Sequence, residues 1–231
     1  MTSNPIYCAI DMLDIPKAAE LARAVAPHVG GLKLGMEFFY RNGVYGYGAL
    51  AEIGLPIFLD LKLHDIPNTV AQGLAALMPL EPAIVNIHIV GGREMMQAAR
   101  TVVDAANTRT QLIGVSVLTS LNNTDLDDIG VSRSTADQVI ALASLAKSCG
   151  LDGIVCSAHE ITAIRHHLGA EFKLIVPGIR PAGSAVGDQK RVMTPSQAVA
   201  AGADILVIGR PITQQPDPAA AAAAIAAELG L

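Results

Sequence analysis

Residues 57–70 read IFLDLKLHDIPNTV, and they set three charged side chains, Asp60, Lys62 and Asp65, within six positions of an otherwise apolar strand. Strand side chains alternate between two faces. Asp60 and Lys62 therefore share one face, and Ile57, Leu59 and Leu61 share the other. Ile66-Pro67-Asn68-Thr69 reads as a helix start, because proline suits the first helical turn, so Asp65 belongs to the turn between strand and helix. As plain structure the same residues are an ion pair at a strand end followed by an aspartate N-cap.

The pattern repeats outward in both directions. Short β-branched or apolar runs ending in a polar residue or glycine predict strands over 6–11, 31–35, 57–62, 84–90, 112–118, 153–157, 173–177 and 205–209. Amphipathic stretches predict helices over 17–28, 68–78, 92–107, 134–149, 159–168, 195–201 and 217–229. Eight alternations of strand and helix imply an α/β protein with a parallel sheet, a (β/α)8 TIM barrel occupying residues 1–231 as a single domain. Such barrels carry their chemistry at the C-terminal ends of the strands, so polar residues should gather there.

Composition narrows the function. Apolar residues make up 51% and charged residues 16% of the chain, which suits parallel strands buried on both faces. A net charge of −5 and 3% aromatic residues leave neither the basic surface nor the stacking platforms that nucleic acid requires. No stretch approaches the roughly 20 apolar residues of a membrane helix. Cys8, Cys149 and Cys156 sit in apolar surroundings without zinc-like spacing, and no signal-like segment opens the chain. A cytoplasmic protein with reduced thiols is the expectation.

The strand ends supply the candidates. The first strand runs into Asp11, while Asp14, just before Pro16, is the better helix cap. Lys33 stands between leucines in the second strand, where an unpaired ammonium would be costly, and the carboxylates of the third strand are its natural partners. Asn86 and His88 share a face of the fourth strand, and His88 reads as a hydrogen-bonded packing residue. His64 is expected to support the charged motif from behind. His159, His166 and His167 fall on an outer helix and read as solvated. Thr119 and Ser120 close the fifth strand. Arg180 and Gln189 lie in the small-residue loop after the seventh, and Gly209 and Arg210 follow the eighth, where barrels of this kind hold phosphate. No His, Asp or Glu cluster has metal-ligand spacing.

Asp60-x-Lys62-x-x-Asp65 followed by IPNT resembles the signature of the orotidine 5′-monophosphate decarboxylase family, and LKLGMEFF, PGIRP, GDQKR and VIGRPIT resemble further segments of it in the same order. The resemblance implies decarboxylation of orotidine 5′-monophosphate to uridine 5′-monophosphate with no cofactor and no metal. It implies that Lys62 stabilises and protonates a ring carbanion, with Asp60, Lys33 and Asp65 completing a charged array. It places Asp11 on the ribose, Thr119 and Ser120 on the pyrimidine, and Arg180, Gln189, Gly209 and Arg210 on the phosphate. Asp65 and Thr69 would complete the neighbouring site of a homodimer.

Asp-x-Lys-x-x-Asp is also shared with sugar-phosphate decarboxylases. An enzyme similar to 3-keto-gulonate 6-phosphate decarboxylase would use magnesium to hold an enediolate, and Lys33 argues against it because a cation there competes with the metal. A non-catalytic nucleotide-binding barrel is the remaining alternative, and it would show no turnover for a Lys62 substitution to abolish.

Overall fold

The computed structural model describes residues 4–181 and 193–231. Eight strands form one closed, all-parallel barrel in chain order: β1 Ile6–Ile10, β2 Gly31–Gly35, β3 Ile57–Leu63, β4 Ile84–His88, β5 Gln111–Val115, β6 Gly153–Val155, β7 Lys173–Pro177 and β8 Ile205–Ile208, with β8 pairing back onto β1. Around them run α1 Ile15–Val25, α2 Met36–Ala51, α3 Pro67–Leu77, α4 Gly92–Ala105, α5 Asn123–Asp128, α6 Thr135–Ser148, α7 Ile161–Leu168, α8 Pro195–Ala201, α9 Arg210–Thr213 and α10 Pro218–Glu228. The expected TIM barrel is observed. Several strands stop earlier than their apolar runs: β4 ends at His88 and β5 at Val115, because the chain turns into short connections once it leaves the barrel rim.

The two-residue period separates two apolar layers. Tyr7, Ala9, Phe58, Ile84, Ile113, Ile175 and Val207 pack inside the barrel. The alternate residues, among them Cys8, Leu34, Leu59, Ile87 and Leu206, pack outward against the helices. Continuing the inward set by two residues along β1, β2, β3 and β4 leads to Asp11, Lys33, Asp60 and Asn86. The packing rule that fills the barrel thus also decides which side chains its mouth receives.

The helix between β2 and β3 is implied by the strand–helix alternation, but its stretch is not among those the sequence marks as amphipathic. Its stretch, MEFFYRNGVYGYGALA, holds three glycines, and Gly43 adopts φ +57°, ψ −151° in a break of the helix. Glycine tolerates that backbone and weakens the helical signal at once. Elsewhere the caps follow the sequence: Asp14 caps α1 by accepting from the Lys17 N–H at 2.9 Å.

Two aspartates tie successive strands together. Asp152 accepts from the Leu112 N–H at 2.7 Å and pairs with Arg100, while Asp204 accepts from the Leu174 N–H at 2.7 Å and pairs with Arg165, which also reaches the Gly202 and Phe172 carbonyls. Removing one member of such a pair strands the other charge. Asp204→Ala is expected to lower stability by about 3 kcal/mol, read as an earlier urea midpoint with unchanged slope.

Among the described residues no helix is long and apolar enough to cross a membrane.

Candidate active site

The charged residues at the mouth come from three consecutive strands, β1 to β3, and β4 adds the neutral amide of Asn86. Lys33, whose side chain is 9% exposed, sets its Nζ 3.1 Å from Asp11 Oδ1 and 3.6 Å from Asp60 Oδ2. Lys62 Nζ donates to Asp60 Oδ1 at 2.6 Å. Asp60 therefore lies between two ammonium groups, one on each oxygen. Gly35 makes room for the arrangement: a Cβ there would come within 2.7 Å of Lys33 Nζ and 3.1 Å of Asp11 Oδ1. The Lys33–Asp60 partnership expected from the sequence is present, and Asp11 joins it.

Burial by itself raises the Asp60 pKa, but Lys33, Lys62 and the hydrogen bonds from Lys62 and Asn86 outweigh it and hold the carboxyl below the ordinary aspartate value of 3.8. The folded state consequently binds fewer protons here than the unfolded chain. The stability Asp60 contributes is complete above 3.8 and is lost as pH falls through its depressed folded value. Asp60→Asn should flatten the acid limb of a stability-against-pH profile measured by urea titration, and an unchanged limb would contradict this balance.

Lys62 departs from ordinary strand geometry. Its φ is +53°, a left-handed backbone that costs about 1–2 kcal/mol in a residue with a side chain. Here the β3–β4 pairing shifts register: Leu59 pairs with Val85 and Leu63 with Ile87, so β3 advances four residues while β4 advances two. The Lys62 N–H donates instead to Asn86 Oδ1 at 2.8 Å, and Asn86 Nδ2 donates to Asp60 Oδ1 at 2.7 Å. The sequence places Asn86 on one face of β4 with His88 and gives it no task. Its inward parity beside Asp60 was the available signal.

Below Lys62 lies a cavity of about 190 Å³, lined by Asp60, Lys62 and Thr119 among apolar side chains including Phe58, Val117, Ile175 and Val207. Its lining sets the Asp60–Lys62 pair and Thr119 against otherwise apolar walls. A larger hollow of about 660 Å³ opens at the opposite end of the barrel, lined in part by Tyr7, Gln111 and Lys173. Lys173 there is 3.6 Å from Asp204, and barrel chemistry belongs to the other rim.

The other sequence candidates fall in distinct places. Ser120 is exposed one residue beyond Thr119 and outside the cavity lining. Arg180 is buried after β7, its Nη1 donating to the Ile179 carbonyl at 3.0 Å. Gly209 precedes α9, and Arg210 opens that helix with its side chain exposed. Gln189 lies outside the described residues. Asp65 and Thr69 are exposed, and Asp65 Oδ1 accepts from the Ile66 N–H at 2.7 Å. The N-cap of α3 is Ile66, so the aspartate-cap alternative for Asp65 does not hold.

His88 is not an isolated packing residue. Its ring centroid lies 5.5 Å from that of His64, with the planes tilted by 47°, and burial, His64 and Lys62 all push its pKa down while Asp60 acts against them. His64 is exposed and leans on His88 rather than backing the Asp60–Lys62 pair. His159, His166 and His167 are exposed as expected, with His159 in a short turn before α7. Burial pushes the Cys8 thiol up to about 12, with Asp11 adding to the effect, which disqualifies it as a thiolate nucleophile. Among the described residues no group of three metal-ligating side chains converges.

The family model described as Orotidine 5′-phosphate decarboxylase / HUMPS family matches residues 4–225. An orotidine 5′-phosphate decarboxylase of Sphingopyxis alaskensis is 55% identical over 227 residues, 98% of this chain and 100% of the relative, and one of Novosphingobium aromaticivorans is 54% identical over the same shares. The crystal structure of orotidine 5′-phosphate decarboxylase from Lactobacillus acidophilus superposes with a TM-score of 0.86 at 34% identity, covering 99% of this chain and 100% of that one.

Proposed function

The chain belongs to the orotidine 5′-phosphate decarboxylase / HUMPS family, and on that premise we propose that it converts orotidine 5′-monophosphate to uridine 5′-monophosphate and carbon dioxide without a cofactor. The single observation that carries the mechanism is the Lys33–Asp60–Lys62 array at the rim of a small, largely apolar cavity. As the C6–carboxylate bond breaks, carbon dioxide leaves and the electron pair stays on C6 in the plane of the ring, where the π-system does not accept it. The Lys62 ammonium supplies positive charge at that atom and then its proton, forming the C6–H bond. The lysine recovers a proton from solvent. Asp60, ionised and held by two lysines, keeps Lys62 aimed at the cavity.

Arg180 and Gly209–Arg210 follow β7 and β8, away from the Lys62–Asp60 pair on β3, and β8 borders β1, which leads to Asp11. That separation supports a ligand with its reacting ring at one side and its phosphate at the other, with Arg180, Gln189, Gly209 and Arg210 gripping the phosphate, Asp11 the ribose, and Thr119 and Ser120 the polar edge of the ring. The test is loss of substrate absorbance on mixing protein with orotidine 5′-monophosphate in chelator. A magnesium-dependent sugar-phosphate decarboxylase would fail there. Lys33 stands within 3.6 Å of both carboxylates for which a divalent ion would compete.

A homodimer completes the proposal. Asp65 and Thr69 are exposed, and the segments that follow β1, β2 and β3 expose Leu13, Met36, Tyr40 and Ile66, the last two 70% and 67% exposed. Exposed apolar side chains on successive strand-to-helix connections favour burial against a second copy. If each site takes Lys62 from one subunit and Asp65 from the other, mixed dimers of inactive Lys62→Ala and Asp65→Ala chains contain one native site. Mixing the two variants should restore turnover, whereas a site built from one chain would stay inactive. Three free, buried cysteines support a reducing, cytoplasmic setting, and the closed barrel supports a single domain over residues 1–231.

A further inference from the structure

We propose that Asn86 is a positioning residue for the decarboxylation: its amide holds the backbone of Lys62 with one end and the carboxylate of Asp60 with the other, fixing the proton donor relative to the cavity. The inference rests on the decarboxylase function proposed above. Asn86 is 1% exposed and lies on the inward face of β4. It stands where the β3–β4 ladder slips, so that the segment from Asp60 to Lys62 lies opposite this residue between the Leu59–Val85 and Leu63–Ile87 pairs. A backbone N–H buried at such a slip needs an acceptor, and Asn86 Oδ1 provides it at 2.8 Å for Lys62. The same amide's Nδ2 donates to Asp60 Oδ1 at 2.7 Å, the oxygen that also receives Lys62 Nζ at 2.6 Å.

These bonds form a small ring through Lys62, Asp60 and Asn86. Its effect is directional. An aspartate carboxylate held only by lysines can turn about its χ2 torsion and exchange its oxygens between them. A neutral donor on Oδ1 fixes that oxygen toward Lys62 and leaves Oδ2 toward Lys33, 3.6 Å away. The opposite end of the amide stabilises the left-handed backbone from which the Lys62 side chain departs, and a change of that φ would swing the ammonium away from the cavity. Both ends of the proton donor are therefore set by one side chain that does not line the cavity.

Two variants separate positioning from simple structural support. Asn86→Ala removes both bonds. It should lower kcat about 100-fold, the scale of an ångström-sized misplacement of a reacting group, with KM and the dissociation constant for uridine 5′-monophosphate changed by no more than about threefold. Asn86→Asp keeps the shape and the acceptor for the Lys62 N–H but sets a carboxylate against Asp60. The groups around that position are Asp60, Lys62 and Lys33, with His88 two residues along the strand and His64 against it. Two carboxylates this close share a proton, and the protonated acid can donate to Asp60 as the amide did. Its kcat, relative to that of the unsubstituted protein at the same pH, should rise as pH falls.

A folded Asn86→Ala protein with kcat within about twofold of the original, or an Asn86→Asp protein whose pH profile keeps the original shape, would overturn the proposal. So would failure of both variants to fold, which assigns the amide a structural role. Absence of turnover in the unsubstituted protein is a separate result that removes the decarboxylase function and this role with it.

Discussion

Lys62→Ala is expected to abolish measurable decarboxylation, lowering kcat by at least about 10⁴-fold, because it removes an acid catalyst and a charge that opposes the developing carbanion together. The loss should appear in kcat. Uridine 5′-monophosphate lacks the departing carboxylate, so the variant should still bind it, and a fluorescence or calorimetric titration of the product separates lost chemistry from lost folding. The left-handed backbone at this position costs stability in any residue with a Cβ, so alanine gains no relief from strain and should not loosen the strand. Turnover within about tenfold of the original would exclude Lys62 as the proton donor. An exogenous amine gives a second arm: partial rescue by methylammonium would place the missing function at the vacated ammonium position.

Arg210→Ala carries the second large effect. The arginine opens α9 directly after β8, next to Gly209, on the side of the mouth away from the Lys62–Asp60 pair. Charge-assisted bonds to a phosphate are worth up to about 3 kcal/mol, some 100-fold in kcat/KM. Binding energy from that remote group holds the reacting ring in place, so a substrate lacking the phosphate should lose catalytic efficiency in the native protein as well. The two losses should not add. Arg210→Ala tested on the truncated substrate should show little further defect, because the arginine then has nothing to bind. Independent, additive losses would assign Arg210 to the fold instead of the phosphate.

Much of the architecture follows from local pattern. The two-residue alternation places Ile57, Leu59 and Leu61 toward the helices and Phe58 and Asp60 toward the barrel interior, and the same alternation names Asp11, Lys33 and Asn86 as inward residues. Solvent exclusion on both faces of each strand makes these patterns strong, and eight of them in alternation with helices leave few other folds open. The helix from Met36 to Ala51 escaped because its glycines, with a break at Gly43, interrupt the period that reveals a helix. Asp14 is legible as a cap beside its proline and Asp65 as a turn residue before α3, while the N-cap alternative for Asp65 fails because Ile66 takes that place.

Local pattern is enough to specify the barrel, the ordering of its layers and the charged residues that its rim could display, since these depend on side-chain alternation and on short motifs within single strands. The Asp60–Lys62 and Lys33–Asp60 pairs are legible in the sequence, whereas the contacts of Asp11 and Asn86 with them belong to the tertiary structure. Asp11 reaches Lys33, Lys33 reaches Asp60, and Asn86 ties Asp60 to the Lys62 backbone because neighbouring strands close into a ring at a particular register. The slip between β3 and β4 and the left-handed turn at Lys62 have no signature in either strand alone. Register belongs to a pair of strands and is set by how the whole barrel packs, so the geometry that aims the lysine emerges only when both strands are in place.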